Sequence, residues 1–185
     1  MDNLESKVDS ICWLKGEFTL RSGAFSNRYF DKYLFESDPQ LLHAITDSLV
    51  ALIPSDTAVL AGLEMGGLPI ATSLSLKTGL PVVFVRKNAK NYGTCKQIEG
   101  LPIINKKVLV VEDVISSGGA VKKAILTLGE NGAQVIATLA VLNRSVENLK
   151  VIGGKPIYRA PLESPSDSGF KNELRARRKF ENLAG

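Results

Sequence analysis

Val108-Leu109-Val110-Val111-Glu112-Asp113-Val114-Ile115-Ser116-Ser117-Gly118-Gly119-Ala120 is the stretch from which the fold can be read. Four aliphatic residues in a row predict a strand covered on both faces, as in a parallel sheet. Val121, Ala124, Ile125 and Leu128 then fall at the i, i+3, i+4, i+7 spacing of a packed helix. The small-residue loop between them therefore lies at a strand's carboxyl end and opens a helix. Backbone N–H groups of Ser116, Ser117, Gly118 and Gly119 can converge there on a phosphate, favoured by the positive end of the helix dipole, and both hydroxyls can add hydrogen bonds. Neither the Gly-Lys-Ser/Thr of a P-loop nor the G-x-G-x-x-G of a dinucleotide site is present.

The acidic pair Glu112 and Asp113 sets this loop apart, because carboxylates repel phosphate unless they serve something else. Acceptor-only oxygens suit the vicinal hydroxyls of a ribose, and a Mg²⁺ ion nearby would damp the repulsion, so the ligand expected here is a phosphorylated ribose. An acidic turn that only caps a helix would share part of this pattern.

Outward from this stretch the elements alternate. Leu42, Ile45, Leu49 and Leu52 share one face of a helix over 41–53, Ala58–Ala61 reads as a buried strand, and Pro69 suits the first turn of a helix that ends at Gly79 and Pro81. Val82–Val85 and Val135–Leu142 read as further strands. Alternation of this kind predicts a doubly wound α/β domain, a parallel sheet flanked by helices, with Glu64, Arg86, Glu112 and Arg144 emerging at the strands' carboxyl ends. Arg86, Lys87, Lys90 and Lys96 lie in a stretch without apolar periodicity, which reads as an exposed cationic loop.

The stretch from Val108 resembles the diphosphoribosyl-binding motif of type I phosphoribosyltransferases. The segment from Arg86 to Gly100 is similar to the mobile catalytic loop of the orotate phosphoribosyltransferases within that family. Phe18-Thr19-Leu20-Arg21-Ser22-Gly23 through Tyr29-Phe30-Asp31 is similar to their amino-terminal signature, and Gly62 to Thr72 also fits. The resemblance implies the type I phosphoribosyltransferase fold with a small amino-terminal hood. It places the hood at about 1–40, the core at about 41–160 and a tail at about 161–185 of one domain.

It also implies Mg²⁺-dependent transfer of phosphoribose from 5-phosphoribosyl 1-diphosphate to N1 of orotate, giving orotidine 5'-monophosphate and pyrophosphate in the synthesis of UMP. Carried over residue by residue, Arg86, Lys87, Lys90 and Tyr92 would meet the diphosphate, with Arg21 as a further contact. Glu112 and Asp113 would take the ribose hydroxyls. Val114 and Ile115 would also contact phosphoribosyl diphosphate, and Ser116, Ser117, Gly118, Gly119 and Ala120 would cradle its 5'-phosphate. Arg144, with its planar fork, and Ser116 would meet orotate. Lys90 and Asp113 are the candidate catalytic residues. The ion would be held mainly through substrate oxygens, with no protein metal site, and the loop would reach into the partner's site of a homodimer.

Three positions depart from the pattern: Tyr92 stands where many relatives carry a histidine, Arg21 replaces a lysine, and Gly66-Gly67 leave a turn of backbone alone where some place a lysine. A phenol is a poor proton shuttle at neutral pH, so Tyr92 reads as a binding group, and His43, the one histidine, reads as a surface residue. Tyr29 and Phe30 can flank a flat base or simply pack in the core.

The 185 residues, 44% hydrophobic and 23% charged with a net charge of +4, suit one globular domain acting on a small polyanion, without nucleic acid. Cys12 and Cys95 form no disulfide framework, no stretch approaches membrane-spanning length, and a cytoplasmic location is expected. A transferase for another base would not need the fork of Arg144. A ligand-sensing regulator with this fold would need an added nucleic-acid-reading module.

Overall fold

The computed structural model describes residues 4–20, 23, 25–93, 95–145, 149–160 and 162. Arg21 and the basic tail lie outside the described residues. Helix α1 (Leu4–Cys12) runs into β1 (Trp13–Thr19), which pairs antiparallel with β2 (Phe25–Phe30), and the short α2 (Tyr33–Ser37) follows. Trp13, Phe30 and Phe35 hold this hood together, with ring centroids 5.3 Å apart for Trp13 and Phe30 and 6.5 Å for Phe30 and Phe35. Phe30 and Phe35 are buried, so Phe30 packs as core, whereas Tyr29 is exposed beside Phe18.

Helix α3 (Pro39–Val50) starts two residues before the sequence expectation. Asp38 caps it, its Oδ1 accepting from the N–H groups of Gln40 and Leu41 at 2.9 and 3.0 Å, and Pro39 fits the first turn. The fully buried face is Leu41, Ile45, Thr46 and Leu49, with Leu42 and Leu52 packed only partly against it. Strand β3 (Val59–Leu63) leads into α4 (Gly67–Thr78), and β4 (Val82–Val85) occupies the residues expected of it. Two-residue β5 (Ile98–Glu99) pairs antiparallel with β4.

Strand β6 (Lys107–Ile115) corrects the first reading of the acidic pair: it continues through Glu112 and Asp113 to Ile115. The acids belong to the strand, because β7 (Gln134–Asn143) pairs with them as far as Ile115 opposite Asn143. Helix α5 (Gly119–Glu130) lies between these strands in sequence, and β8 (Val151–Ile152) and β9 (Lys155–Arg159) complete the described elements as an antiparallel hairpin that sequence periodicity did not reveal.

The seven-stranded sheet runs β5-β4-β3-β6-β7-β9-β8, parallel from β4 to β9 with one antiparallel strand at each edge. Alternate residues of β6 point to opposite faces: Leu109 and Val111 join a core formed with α1, α3 and α4, while Val108 and Val110 pack against α5. Helices thus cover both faces, and β3, β4, β6 and β7 all direct their carboxyl ends to one rim. Cys12 is buried and Cys95 exposed, both as free thiols.

Candidate functional site

At that rim lies a cavity of about 490 Å³. Arg86, Lys87, Glu112, Asp113, Val114 and Ala120, all anticipated, are among the residues that line it. Glu64 and Met65, just beyond β3, form another part of the wall, and Lys32 and Tyr33 of the hood reach in from above. The turn after β3 fits because it lacks side chains. A Cβ on Gly66 would stand 1.5 Å from Asp113 Oδ2, and one on Gly67 would stand 2.4 Å from the Val111 carbonyl oxygen. The turn therefore lies directly on β6.

Three carboxyl groups meet one ammonium here. Asp113 is 2% and Glu112 7% exposed, and Glu36 of α2 is half-buried beside them. Lys32 Nζ forms an ion pair with Asp113 Oδ2, and Asp113 Oδ1 accepts from the Val114 N–H. Burial, followed by the hydrogen bond and charge of Asp113, pushes Glu36 and Glu112 well above the usual carboxylate range. Burial opposes ionisation of Asp113 too, but hydrogen bonds from Glu112, Glu36 and Lys32 outweigh it and hold Asp113 below its ordinary value. Glu36 Oε1 is buried without a hydrogen-bond partner, which fits the burial that holds this acid towards its protonated form. One carboxylate thus retains its charge while its two neighbours tend to stay neutral. Among the described residues no group of three or more His, Cys, Asp or Glu side chains is placed to hold a metal ion.

The cationic loop is anchored at its root. Arg86 N–H donates to the Gln97 carbonyl at 2.9 Å, extending the β4–β5 pairing. Lys87 is clamped on both sides: its N–H donates to Glu64 Oε2 at 2.9 Å, and its carbonyl accepts from Lys123 Nζ at 2.9 Å and Gln97 Nε2 at 3.4 Å. Farther out, Lys90 pairs with Glu99 and lies 5.8 Å from the Tyr92 ring centroid. Neither Lys90 nor Tyr92 is among the cavity's lining residues, and Tyr92 is 67% exposed.

The small-residue loop lies beside this cavity. Gly118 precedes α5 at φ +76°, a left-handed conformation that favours glycine, and a Cβ there would also meet Ile152 Cδ1 at 2.8 Å. Ser116, Ser117 and Gly119 are exposed, whereas the side chain of Ile115 turns into the core at 1% exposure and leaves only its peptide near the rim. Arg144 directly follows β7, its N–H donating to the Ile115 carbonyl at 2.7 Å. The carbon of its guanidinium lies 5.0 Å from the Trp13 ring centroid and 5.2 Å from that of Phe30, a cation–π contact with the hood. His43 is exposed, beside Asp47 and Lys77.

Sequence reasoning missed Lys32, Glu36 and Lys123. Lys32 and Asp113 are 81 positions apart and no local spacing links them. Lys123 had a usable signal, since it stands one helical turn after Ala120 and so on the same side of α5.

The profile of the phosphoribosyl transferase domain matches residues 38–167, and the chain belongs to the phosphoribosyltransferase family. Within the family it is 49% identical over 142 residues to the orotate phosphoribosyltransferase of a Nocardioides species, an alignment covering 77% of this chain and 79% of that one. It is 46% identical over 159 residues to the orotate phosphoribosyltransferase of Methanocella arvoryzae, covering 84% and 90%. Among solved structures, a phosphoribosyltransferase from Corynebacterium diphtheriae superposes with a TM-score of 0.72 at 28% identity, covering 84% of this chain and 91% of that chain. The Mycobacterium tuberculosis orotate phosphoribosyltransferase in complex with 5-phospho-alpha-D-ribosyl 1-diphosphate gives 0.61 at 25% identity, covering 71% and 78%.

Proposed function

We propose that this protein is an orotate phosphoribosyltransferase, moving phosphoribose from 5-phosphoribosyl 1-diphosphate to N1 of orotate and releasing pyrophosphate. The observation that carries the reading is one cavity lined both by the Glu112–Asp113 pair, suited to sugar hydroxyls, and by the cations Arg86 and Lys87, suited to a diphosphate. The names of the curated relatives support orotate as the acceptor.

In the reaction the bond from C1 of the ribose to the diphosphate oxygen breaks, the bond from C1 to N1 of orotate forms, and the N1 proton is lost to the departing pyrophosphate or to solvent. Positive charge builds on the sugar and negative charge on the leaving group. Asp113, kept ionised, accepts from a ribose hydroxyl and stabilises the cationic sugar, with Glu112 completing the same wall. Main-chain N–H groups of Ser116 to Ala120, with Val114 and Ile115 contributing backbone, hold the 5'-phosphate. Arg86, Lys87 and Lys90 offset the growing charge on pyrophosphate, Tyr92 adds a hydrogen bond, and Arg21 adds a further cation. Arg144 holds the orotate carboxylate and Ser116 touches the base.

The charge pattern fits a magnesium complex of the diphosphate, with Arg86 and Lys87 for the phosphates and hard oxygen ligands supplied by the substrate itself. Mg²⁺ offsets part of the diphosphate charge when bound, and no side chain of this protein is assigned to it. The placement of Lys90 and Tyr92 outside the cavity supports the reading that the loop serves the neighbouring subunit of a homodimer. A cytoplasmic location is consistent with this reaction. No helix among the described residues is long and apolar enough to cross a membrane.

The test is incubation of the purified protein with 5-phosphoribosyl 1-diphosphate, Mg²⁺ and, separately, orotate, uracil, hypoxanthine and adenine. Loss of orotate absorbance with the other three bases untouched is the expected result. Consumption of a purine instead would overturn it.

A further inference from the structure

We infer that Lys32 is a positioning residue of the phosphoribosyl site, holding Asp113 as a single aimed anion inside a cluster of carboxyl groups and fastening the hood over the sugar wall. The inference rests on the phosphoribosyl reading of the cavity. Lys32 lies one residue beyond the amino-terminal signature that ends at Asp31, and its contact with Asp113 spans 81 positions of sequence.

The geometry makes the case in three parts. First, both oxygens of Asp113 are committed: Oδ1 to the Val114 N–H and Oδ2 to Lys32, with the Gly66 backbone pressed against the same oxygen. The carboxylate plane is therefore set before any ligand arrives. Second, Lys32 is the cation that ion-pairs with this cluster, which also holds Glu36 and Glu112. A buried pair of like carboxyls shares protons, and an adjacent ammonium decides which oxygen stays charged. Third, Lys32 is the cap residue of α2 and lies 5.1 Å from the Tyr33 ring centroid, so the bond to Asp113 ties the hood to β6. Its side chain is 31% exposed and Lys32 lines the cavity, within reach of a bound sugar.

The charged groups facing Asp113 are Lys32 and Glu36 from the hood and Glu112 from β6, with Glu64 beyond β3, Arg86 and Lys87 on the loop and Lys123 on α5 around the same cavity. Of these, Lys32 makes the ion pair, and its loss raises the proton affinity of Asp113. An Asp113 that gains a proton no longer accepts from the sugar with full charge, so binding in the Lys32→Met variant should fall off at a higher pH than in the parent.

The experiment is calorimetric titration of ribose 5-phosphate into the parent, Lys32→Met and Lys32→Arg proteins between pH 5 and 9. For Lys32→Met we expect binding roughly tenfold weaker at the acid end, with the gap narrowing as pH rises, and Lys32→Arg restoring the parent profile. Where the parent turns over orotate, Lys32→Met should also raise the KM for the diphosphate substrate more than it lowers kcat. A thermal melt of each variant separates loss of fold from loss of positioning. A Lys32→Met protein that binds ribose 5-phosphate with the parent's affinity and pH profile overturns the inference and leaves the proposed reaction standing. Failure of the parent to consume orotate while the binding profiles shift overturns the reaction and leaves Lys32 in place.

Discussion

Gly66 sets the spacing of the site by lacking a side chain. Its Cα lies against Asp113 so closely that a methyl group would overlap Oδ2 and crowd Glu36 Oε1 at 2.8 Å. Gly66→Ala is therefore expected to push the turn off β6, lowering stability by about 1–3 kcal/mol and abolishing ribose 5-phosphate binding. A melt and a titration on the same sample check both. The placement of the acidic pair was legible, because a continuous aliphatic run ending in two acids brings them to a strand's carboxyl end, where they line the cavity. What could not be read was their inequality, with Asp113 charged and Glu36 and Glu112 held towards neutrality, since that arises from Lys32 and from α2, remote in sequence. Gly66 and Gly67 read from sequence as a missing lysine, but their close approach to β6 gives a steric reason for glycine.

Among the elements, the stretch from Arg86 to Gly100 best illustrates how a segment without periodicity still acquires a defined root. The Lys87 peptide is gripped by Glu64, Lys123 and Gln97, three residues from three different segments, while Lys90 and Tyr92 extend beyond that grip. Lys123→Met combined with Glu64→Ala should free the root: cleavage by a lysine-specific protease at Lys87, Lys90 or Lys96 should quicken several-fold, with the melting temperature changed by only a few degrees. Unchanged cleavage would show that the β4–β5 pairing alone holds the loop. Strands β3, β4, β6 and β7 were legible because buried parallel strands are continuous aliphatic runs, and the end of β6 was misplaced because its last residues include two acids. Strands β5 and β8 have two residues each, too short to carry a period, and the start of α3 was lost by weighing apolar spacing above the Asp38-Pro39 cap.

At the level of the whole molecule, Lys90 and Tyr92 in the outer part of the cationic loop do not line the cavity. If the loop serves a second copy, two crippled variants complement each other. Lys90→Ala and Asp113→Asn proteins, inactive apart, should recover about a quarter of parental activity when mixed and allowed to exchange, since half the dimers are mixed and each holds one intact site. No recovery after verified exchange would assign each loop to its own subunit. The sheet carries a second consequence. Its central strands β3, β6 and β7 are largely aliphatic and parallel, the sort of surface that recruits further chains, yet each outermost strand in the described chain is an antiparallel stub of two residues. Such stubs present too few unpaired amides to template the growth of a fibril, so the molecule meets a concentrated milieu with its most adhesive ladder already closed at both ends.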